Sequence, residues 1–340
     1  MKIAYIVDTE KSALGIAAAS RAARDPHISI VEGLNFLTPW GLSRYLLEGK
    51  FDLIIFSWRF LAYELFSFSY LSRAINNLSK SAIFAFIVPD HLAVEGELEE
   101  KEDLLIQAVD YFLVTSEILF KQYRDKYPEK CKGILHDIPN TEALKYQRSQ
   151  NKVKSDGIIW VGNSKWGERQ GFKDHKRYIE IVSVLIAKNY KVRIVDSAIR
   201  KLDNSKVLEL INENMFLIQC SKSEGTGLPV LEAAALGNIP ITTPVGIAGE
   251  FLVGDLKNLV VGENVENFER ALQWAKNNKS WLPKKLASSF DDYINECIRE
   301  EIFYKSGTGL HRIRQTLLRE LQLTVRWIAR SAVYKFGNRC

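Results

Sequence analysis

The sequence predicts an α/β fold of two parallel-sheet halves followed by a short basic amphipathic tail. Three observations carry this reading. Short apolar runs alternate with helical patterns over most of the 340 residues, without hairpin signals, which favours parallel strands joined by helical crossovers. The alternation breaks once, around Ile134 to Asp156, where polar, lysine-rich Lys145 to Asp156 read as a linker, and then restarts. Residues 306–340 then hold seven Lys or Arg and one Glu. The expected domains are therefore residues 1–145, 146–305 and the tail 306–340.

In the first half, Ile3 to Val7 is a short apolar strand and Ala13 to Ala23 a helix of small residues. His27 to Val31 reads as the second strand, Gly41 to Leu47 as a short helix and Phe51 to Trp58 as a buried strand. Ser67 to Leu78 is helical, Ala82 to Val88 is a buried strand, Leu104 to Asp110 a short helix and Tyr111 to Thr115 the next strand. In the second half, Ile158 to Gly162, Lys191 to Val195 and Met215 to Ile218 are strands, separated by helices at Arg177 to Lys188 and Lys206 to Glu213. The next helix starts near Leu228, with Pro229 in its first turn, where the missing N–H costs nothing. Gly237 ends it and Pro240 prevents its return. Ile239 to Thr243 and Asn258 to Val261 are the last strands, and Phe268 to Lys276 and Leu286 to Phe303 the closing helices. Ligands of such folds lie at the carboxyl ends of the strands, here in a cleft between the halves.

Composition narrows the function classes. Hydrophobic residues make up 46% and charged residues 26%, an ordinary globular balance. The four cysteines form no C-x-x-C pair, so neither a zinc site nor a redox motif is suggested, and free thiols in a reducing cytoplasm are the simple reading. Met1 to Asp8 turns polar too soon for a signal peptide, and the longest apolar run, Leu53 to Phe60, contains Arg59 and falls far short of a membrane span. The net charge is +5, but the tail alone carries about +6, so no basic face spreads over the fold and no nucleic-acid partner is expected.

The stretch Cys220 to Glu250, C-S-K-S-E-G-T-G-L-P-V-L-E-A-A-A-L-G-N-I-P-I-T-T-P-V-G-I-A-G-E, carries the chemistry. A strand, a glycine loop (Gly225, Gly227) and a helix N-terminus beginning at Leu228 make a site for an anionic group, because free amides and the helix dipole both favour negative charge. Glu224 and Glu232 flank this loop. A carboxylate repels phosphate but accepts hydrogen bonds from hydroxyls, and Glu232, about a turn into the helix, suits the paired hydroxyls of a ribose. Hydroxyls, diphosphate amides and hydroxyls in that order describe a nucleotide-sugar.

The same residues resemble a known family. Glu224 and Glu232, with seven residues between them, match the E-x7-E signature of retaining glycosyltransferases of the GT-B fold, the large family 4 group; the match extends through G-x-G-L-P-x-L-E-A-x-A-x-G and into P-V-G-x-x-G-E. The resemblance implies two Rossmann-like parallel-sheet domains facing across a cleft. It implies transfer of a sugar, with retained configuration, from a UDP- or GDP-linked donor to a glycan or lipid-linked acceptor, as in bacterial surface polysaccharide or lipopolysaccharide synthesis. Donor contacts are expected from Thr226, Gly227, Leu228 and Glu232, with Glu224 at the reacting sugar. Leu135-His136-Asp137-Ile138-Pro139-Asn140 resembles the family's strand-to-linker segment.

Cleavage of a sugar–diphosphate bond leaves negative charge on the leaving group, so fixed positive charge or N–H groups must face it. In the family a basic residue directly after a strand glycine and a later lysine supply this. Here the glycine is Gly162, Asn163 stands where the arginine is usual, and Lys176 corresponds to the lysine, with Arg177 in place of the glycine that usually follows it. An insertion at about Trp166 to Phe172 separates the two, and Lys165 or Lys173 are candidates to replace the lost charge. A family histidine past the fourth strand corresponds approximately to His91, with Asp90 as the alternative contact to the transferred sugar. The other histidines show no metal-ligand spacing and Asp291-Asp292 is no D-x-D, so neither metal nor cofactor is expected. Asn163 leaves open a non-catalytic protein that binds a nucleotide-sugar or a partner enzyme. A dinucleotide oxidoreductase is remote, because G-x-G-x-x-G fails at Val230.

Residues 306–340 are an addition to the family pattern. Leu310, Ile313, Leu317, Leu321, Val325 and Ile328 share one helical face, opposite Arg312, Arg319, Arg326 and Arg330. This pattern, with Trp327, Tyr334 and Phe336, is expected to lie on an anionic membrane surface, placing the protein at the inner face of the plasma membrane. The competing reading packs the helix against the first domain, with its arginines in water.

Overall fold

The computed structural model describes residues 2–9, 12–36, 39–57, 62, 82–88, 99–150, 153–166, 168 and 174–299. The chain divides into Met1–Ile294 and Asn295–Cys340. In the second unit residues 295–299 are described, and they are helical. The tail, the helix at Ser67 to Leu78, Trp58, Asp90, His91 and Lys173 lie outside the described residues.

The first sheet is parallel, with strand order β2-β1-β3-β4-β5-β6. Its strands are β1 (Ile3–Val7), β2 (Ile28–Glu32), β3 (Leu53–Phe56), β4 (Ile83–Val88), β5 (Tyr111–Val114) and β6 (Cys131–Ile134). Its central strands are apolar on both faces because both are covered, as parallel sheets require. The period of two sorts their side chains into two cores. One holds Ala4, Ile6, Ile54, Phe56, Phe84, Phe86 and Phe112; the other holds Ile3, Tyr5, Val7, Ile55 and Ile87. The helices are α1 (Ala13–Ala22), α2 (Pro39–Gly49), α3 (Glu99–Ala108), α4 (Glu117–Lys126) and α5 (Thr141–Ser149). Three of these start at a side-chain cap: the Ser12, Ser116 and Asn140 oxygens accept from the Gly15, Leu119 and Ala143 amides.

The second sheet is also parallel, in the order β10-β9-β7-β8. It comprises β7 (Ser155–Gly162), β8 (Val192–Asp196), β9 (Asn214–Gln219) and β10 (Ile239–Thr242). The chain runs from β7 to the edge strand β8 and returns to place β9 on the other side of β7. The order therefore reverses between β7 and β9, and loops leaving their carboxyl ends diverge around a crevice. The helices here are α6 (Ser183–Ala187), α7 (Asn204–Asn212), α8 (Leu228–Ala235), α9 (Ala248–Phe251) and α10 (Val265–Asn277), and residues 282–294 are helical too.

Four expectations need correction. Helix α4 and strand β6 fill a stretch the sequence left without elements. The presumed linker Lys145 to Asp156 is largely structured: α5 occupies its start, burying Leu144 and Gln147, and β7 begins at Ser155. The helix at Arg177 to Lys188 opens with a π-helical turn, Tyr178–Val182. The strand at Asn258 to Val261 is a 3₁₀ turn, Gly254–Leu259, followed by one bridge from Val260 to Thr242.

Helix α1 meets the junction segment after β6 through Arg21, which is 1% exposed. Its guanidinium donates to the Tyr5 hydroxyl (2.7 Å), the His136 carbonyl (2.6 Å) and Asp137 Oδ1 (3.2 Å). A charge buried this deeply is tolerated because each of these acceptors replaces lost water.

Candidate functional site

Strand β7 delivers Gly162 at its carboxyl end. A Cβ there would lie 2.7 Å from the Trp160 ring, so the position requires glycine. Beyond it the Asn163 Oδ1 accepts the Lys165 amide (3.0 Å), so this side chain closes its own turn. The Ser164 amide (3.1 Å) and hydroxyl (2.5 Å) and the Ala198 amide (2.9 Å) donate to Asp196 at the end of β8. Burial raises the Asp196 pKa, but these bonds, with the Lys165 charge, outweigh it and hold the carboxyl below its ordinary value. Asp196 thus anchors the turn after Gly162. Sequence reasoning passed over it; its one signal is an acid directly after an apolar strand.

Residues 174–177 form a tight loop with Asp174 at φ +45° and Arg177 at φ +48°. The left-handed conformation costs roughly 1–2 kcal/mol for an ordinary residue, which explains why glycine would suit position 177. Here Arg177 holds it through ion pairs to Glu180 (2.8 Å) and Glu263, while Asp174 accepts the Ile179 and Glu180 amides (each 3.0 Å). The loop docks on the segment after β9. The His175 carbonyl accepts the Lys222 amide (2.9 Å), His175 Nε2 contacts the Ser223 carbonyl (3.2 Å), and the Cys220 thiol donates to the Lys176 carbonyl (3.2 Å).

This docking brings Lys176 onto Glu224. The Lys176 ammonium donates to Glu224 Oε1, which also accepts the Ser221 hydroxyl at 2.6 Å. Their side chains are 13% and 19% exposed. The loop continues through Thr226, whose hydroxyl donates to Asp137 Oδ2 (3.2 Å), and Gly227, at φ +80°, to the start of α8 at Leu228. From the other side Gly246, at φ +55°, abuts the loop so closely that a Cβ would lie 2.4 Å from the Thr226 carbonyl oxygen. The Ile247 amide donates to that same oxygen (3.1 Å).

Glu232 is buried within α8, where its Oε1 accepts the Asn204 amide group at 3.2 Å. Burial pushes its pKa up to about 7, against the lowering effect of that bond. Lys165 is exposed, and its charge acts on Asp196 rather than joining Lys176 and Glu224. Among the described residues no three His, Cys, Asp or Glu side chains form a metal-ligand group, and no helix is long and apolar enough to cross a membrane.

Lys176 and Glu224 thus meet beside the glycine-rich start of α8, with Glu232 buried in that helix, and an ammonium next to a helix N-terminus suits an anionic ligand. Residues 184–295 match the family described as glycosyl transferases group 1. The chain is similar in fold to sucrose-phosphate synthase from Thermosynechococcus elongatus (TM-score 0.59, 12% identity, covering 91% of this chain and 100% of that one). It is similar also to Anabaena HepE in complex with UDP-glucose (TM-score 0.59, 11% identity, 89% and 100%) and to a glycosyltransferase from Rickettsia africae (TM-score 0.53, 10% identity, 89% and 97%). No curated protein matches the chain by sequence. The two parallel-sheet domains are those of the GT-B glycosyltransferase fold, and the matched segment contains the Glu224–Glu232 loop.

Proposed function

We propose that the protein is a retaining glycosyltransferase of the family 4 type, using a UDP- or GDP-linked sugar and a glycan or lipid-linked acceptor in bacterial surface polysaccharide or lipopolysaccharide synthesis. The observation that carries this reading is the convergence of Lys176 and Glu224 beside the loop that opens α8. The presence of UDP-glucose in the similar Anabaena protein supports a UDP-sugar.

In this reading the amides of Gly227 and Leu228 and the α8 dipole take the diphosphate, and Glu232 accepts the ribose hydroxyls. Glu224 accepts from hydroxyls of the transferred sugar, and His91 from the first half is a further contact to it. As the sugar–phosphate bond breaks, negative charge grows on the phosphate, and Lys176, released from Glu224, neutralises it. The leaving phosphate takes the acceptor's proton on the face it departs from, so configuration is retained without a covalent enzyme intermediate. Residues 306–340 would lie on an anionic leaflet and hold the cleft near a lipid-linked acceptor. Loss of co-sedimentation with anionic vesicles on their removal is the expected result, and a full-length protein that ignores such vesicles refutes it.

A second reading, a nucleotide-sugar-binding protein without turnover, is favoured by Asn163, whose side chain closes its own turn and brings no charge. Turnover of labelled nucleotide-sugars with membrane lipid extract separates the two. Transfer by the wild-type protein, abolished in Glu224→Ala, supports the enzyme; binding without transfer supports the alternative.

A further inference from the structure

Trp166 lies where three parts of the molecule meet. Its amide donates to the Asn163 carbonyl (3.0 Å), which fixes it in the turn after β7. Its ring centroid lies 4.3 Å from that of His175 and 5.0 Å from the Lys176 ammonium. The side chain also packs against the core of the first sheet that contains Phe56, Phe84, Phe86 and Phe112. One indole from the second half therefore touches the lysine loop and the first half together.

The ring is held by partners that are themselves fixed. His175 is 1% exposed, with Nε2 bonded to both the Ser223 carbonyl (3.2 Å) and hydroxyl (3.1 Å). Lys176, by contrast, has a flexible stem and two neighbours that favour its charge, the Glu224 carboxylate and the indole. A sugar that hydrogen-bonds Glu224 competes for the first of these. The second does not involve Glu224, and a largely desolvated ammonium near an indole is attracted by the ring's quadrupole.

We propose that Trp166 is a positioning residue for Lys176: it keeps the ammonium aimed at the diphosphate once Glu224 is engaged by the sugar, and its packing on the first-sheet core ties that aim to the contact between the halves. This rests on the glycosyltransferase reading. It assigns to the segment that departs from the family pattern a part in the chemistry, in place of the missing arginine at Asn163.

The test compares Trp166→Phe, which keeps an aromatic face, with Trp166→Leu, which keeps bulk without one, each with Lys176 present and in Lys176→Ala. The readouts are kcat and donor KM for whichever of labelled UDP-glucose, UDP-N-acetylglucosamine or GDP-mannose the wild-type protein turns over, with unfolding temperature beside them. Expected are a kcat about tenfold lower in Trp166→Leu with KM little changed, substantial recovery in Trp166→Phe, and no further loss from Trp166→Leu once Lys176 is alanine. A purely structural tryptophan would lower the unfolding temperature and act equally in both backgrounds, and that result overturns the proposal while leaving the enzyme reading intact. So does equal kcat in the Phe and Leu variants. A wild-type protein that turns over none of the three donors removes the reading and the proposal with it.

Discussion

The Thr226 hydroxyl donates to the Asp137 carboxylate at 3.2 Å, and the same carboxylate faces the buried guanidinium of Arg21 at 3.2 Å. A residue of the glycine loop and a residue of the first helix thus share one anion on the segment joining the two halves. Thr226 is fixed from the other side by the Ile247 amide on its carbonyl (3.1 Å). The loop is therefore held by both halves.

Removing that carboxylate takes an anionic partner from the buried Arg21 guanidinium. Asp137→Ala is expected to destabilise the fold by about 3 kcal/mol, in line with breaking a buried ion pair from one side, and Asp137→Asn by less because its amide oxygen still accepts. Urea unfolding checks this. The pair Asp137→Ala and Arg21→Met together should cost less than the sum of the two single changes.

Two buried groups should give stability opposite dependences on pH. Glu232 titrates at about 7 when folded against 4.5 ordinarily, because burial disfavours its charge. The native state then holds the extra proton between these values, and stability falls as pH rises from about 4.5 to 7. His136 is pushed down to about 4 from 6.5, again chiefly by burial. There the unfolded state holds the extra proton, and stability rises with pH over about 4 to 6.5. Each is worth roughly 3 kcal/mol, so they nearly cancel where the windows overlap. Glu232→Gln should unmask stability that climbs with pH, and His136→Gln stability that declines, in unfolding curves from pH 4.5 to 7.5.

Removing Lys176 should be felt in rate more than in binding. Lys176→Ala is expected to lower kcat by about 10², as loss of one donor to a developing anion does. Glu224→Ala should likewise act mainly on turnover, while Glu232→Ala weakens nucleotide affinity, since a ribose is bound alike before and during reaction. Steady-state kinetics with nucleotide calorimetry distinguishes the three. Wild-type turnover and affinity in both glutamate variants would refute the site.

Gly246→Ala tests the loop's backbone directly. The new Cβ would sit 2.4 Å from a carbonyl oxygen and 2.8 Å from its carbon, at φ +55°, and backbone cannot swing aside as a side chain can. The expected cost is about 1–3 kcal/mol. Nucleotide affinity should fall with it, whereas Gly249→Ala, whose Cβ meets nothing within 4 Å, should be close to neutral in both measurements.

Most of the sheet was legible because buried parallel strands are apolar runs: Ile3–Val7 and the core of Asn214–Gln219 follow directly from the pattern. Helix α4 was missed because its exposed face carries Lys121, Arg124 and Lys126 and only Leu119 and Tyr123 are buried; the readable signal was Ser116, its capping residue, followed by Glu117. Strand β6, C-K-G-I, is too short and too polar to declare itself, and the order of the sheet alone gives it a place. Within the site, Lys176 and Glu224 were named from sequence, but their pairing was not, since it depends on the left-handed turns at Asp174 and Arg177. Asp196 and Trp166 act through contacts with distant segments, and no local spacing announces these.

The thiol beneath Lys176 turns this geometry into a clock. Cys220 is fully buried, its hydrogen bond runs to the Lys176 carbonyl, and burial pushes its pKa up to about 12, so at neutral pH it offers reagents no thiolate. Alkylation at this one position, followed by peptide mapping, requires an opening that uncovers it, and under native conditions the smallest such opening lifts the lysine loop from the end of β9. Its rate therefore reports how often the contact between the lysine loop and the end of β9 opens, and a nucleotide that slows the reaction is one whose binding favours the closed contact.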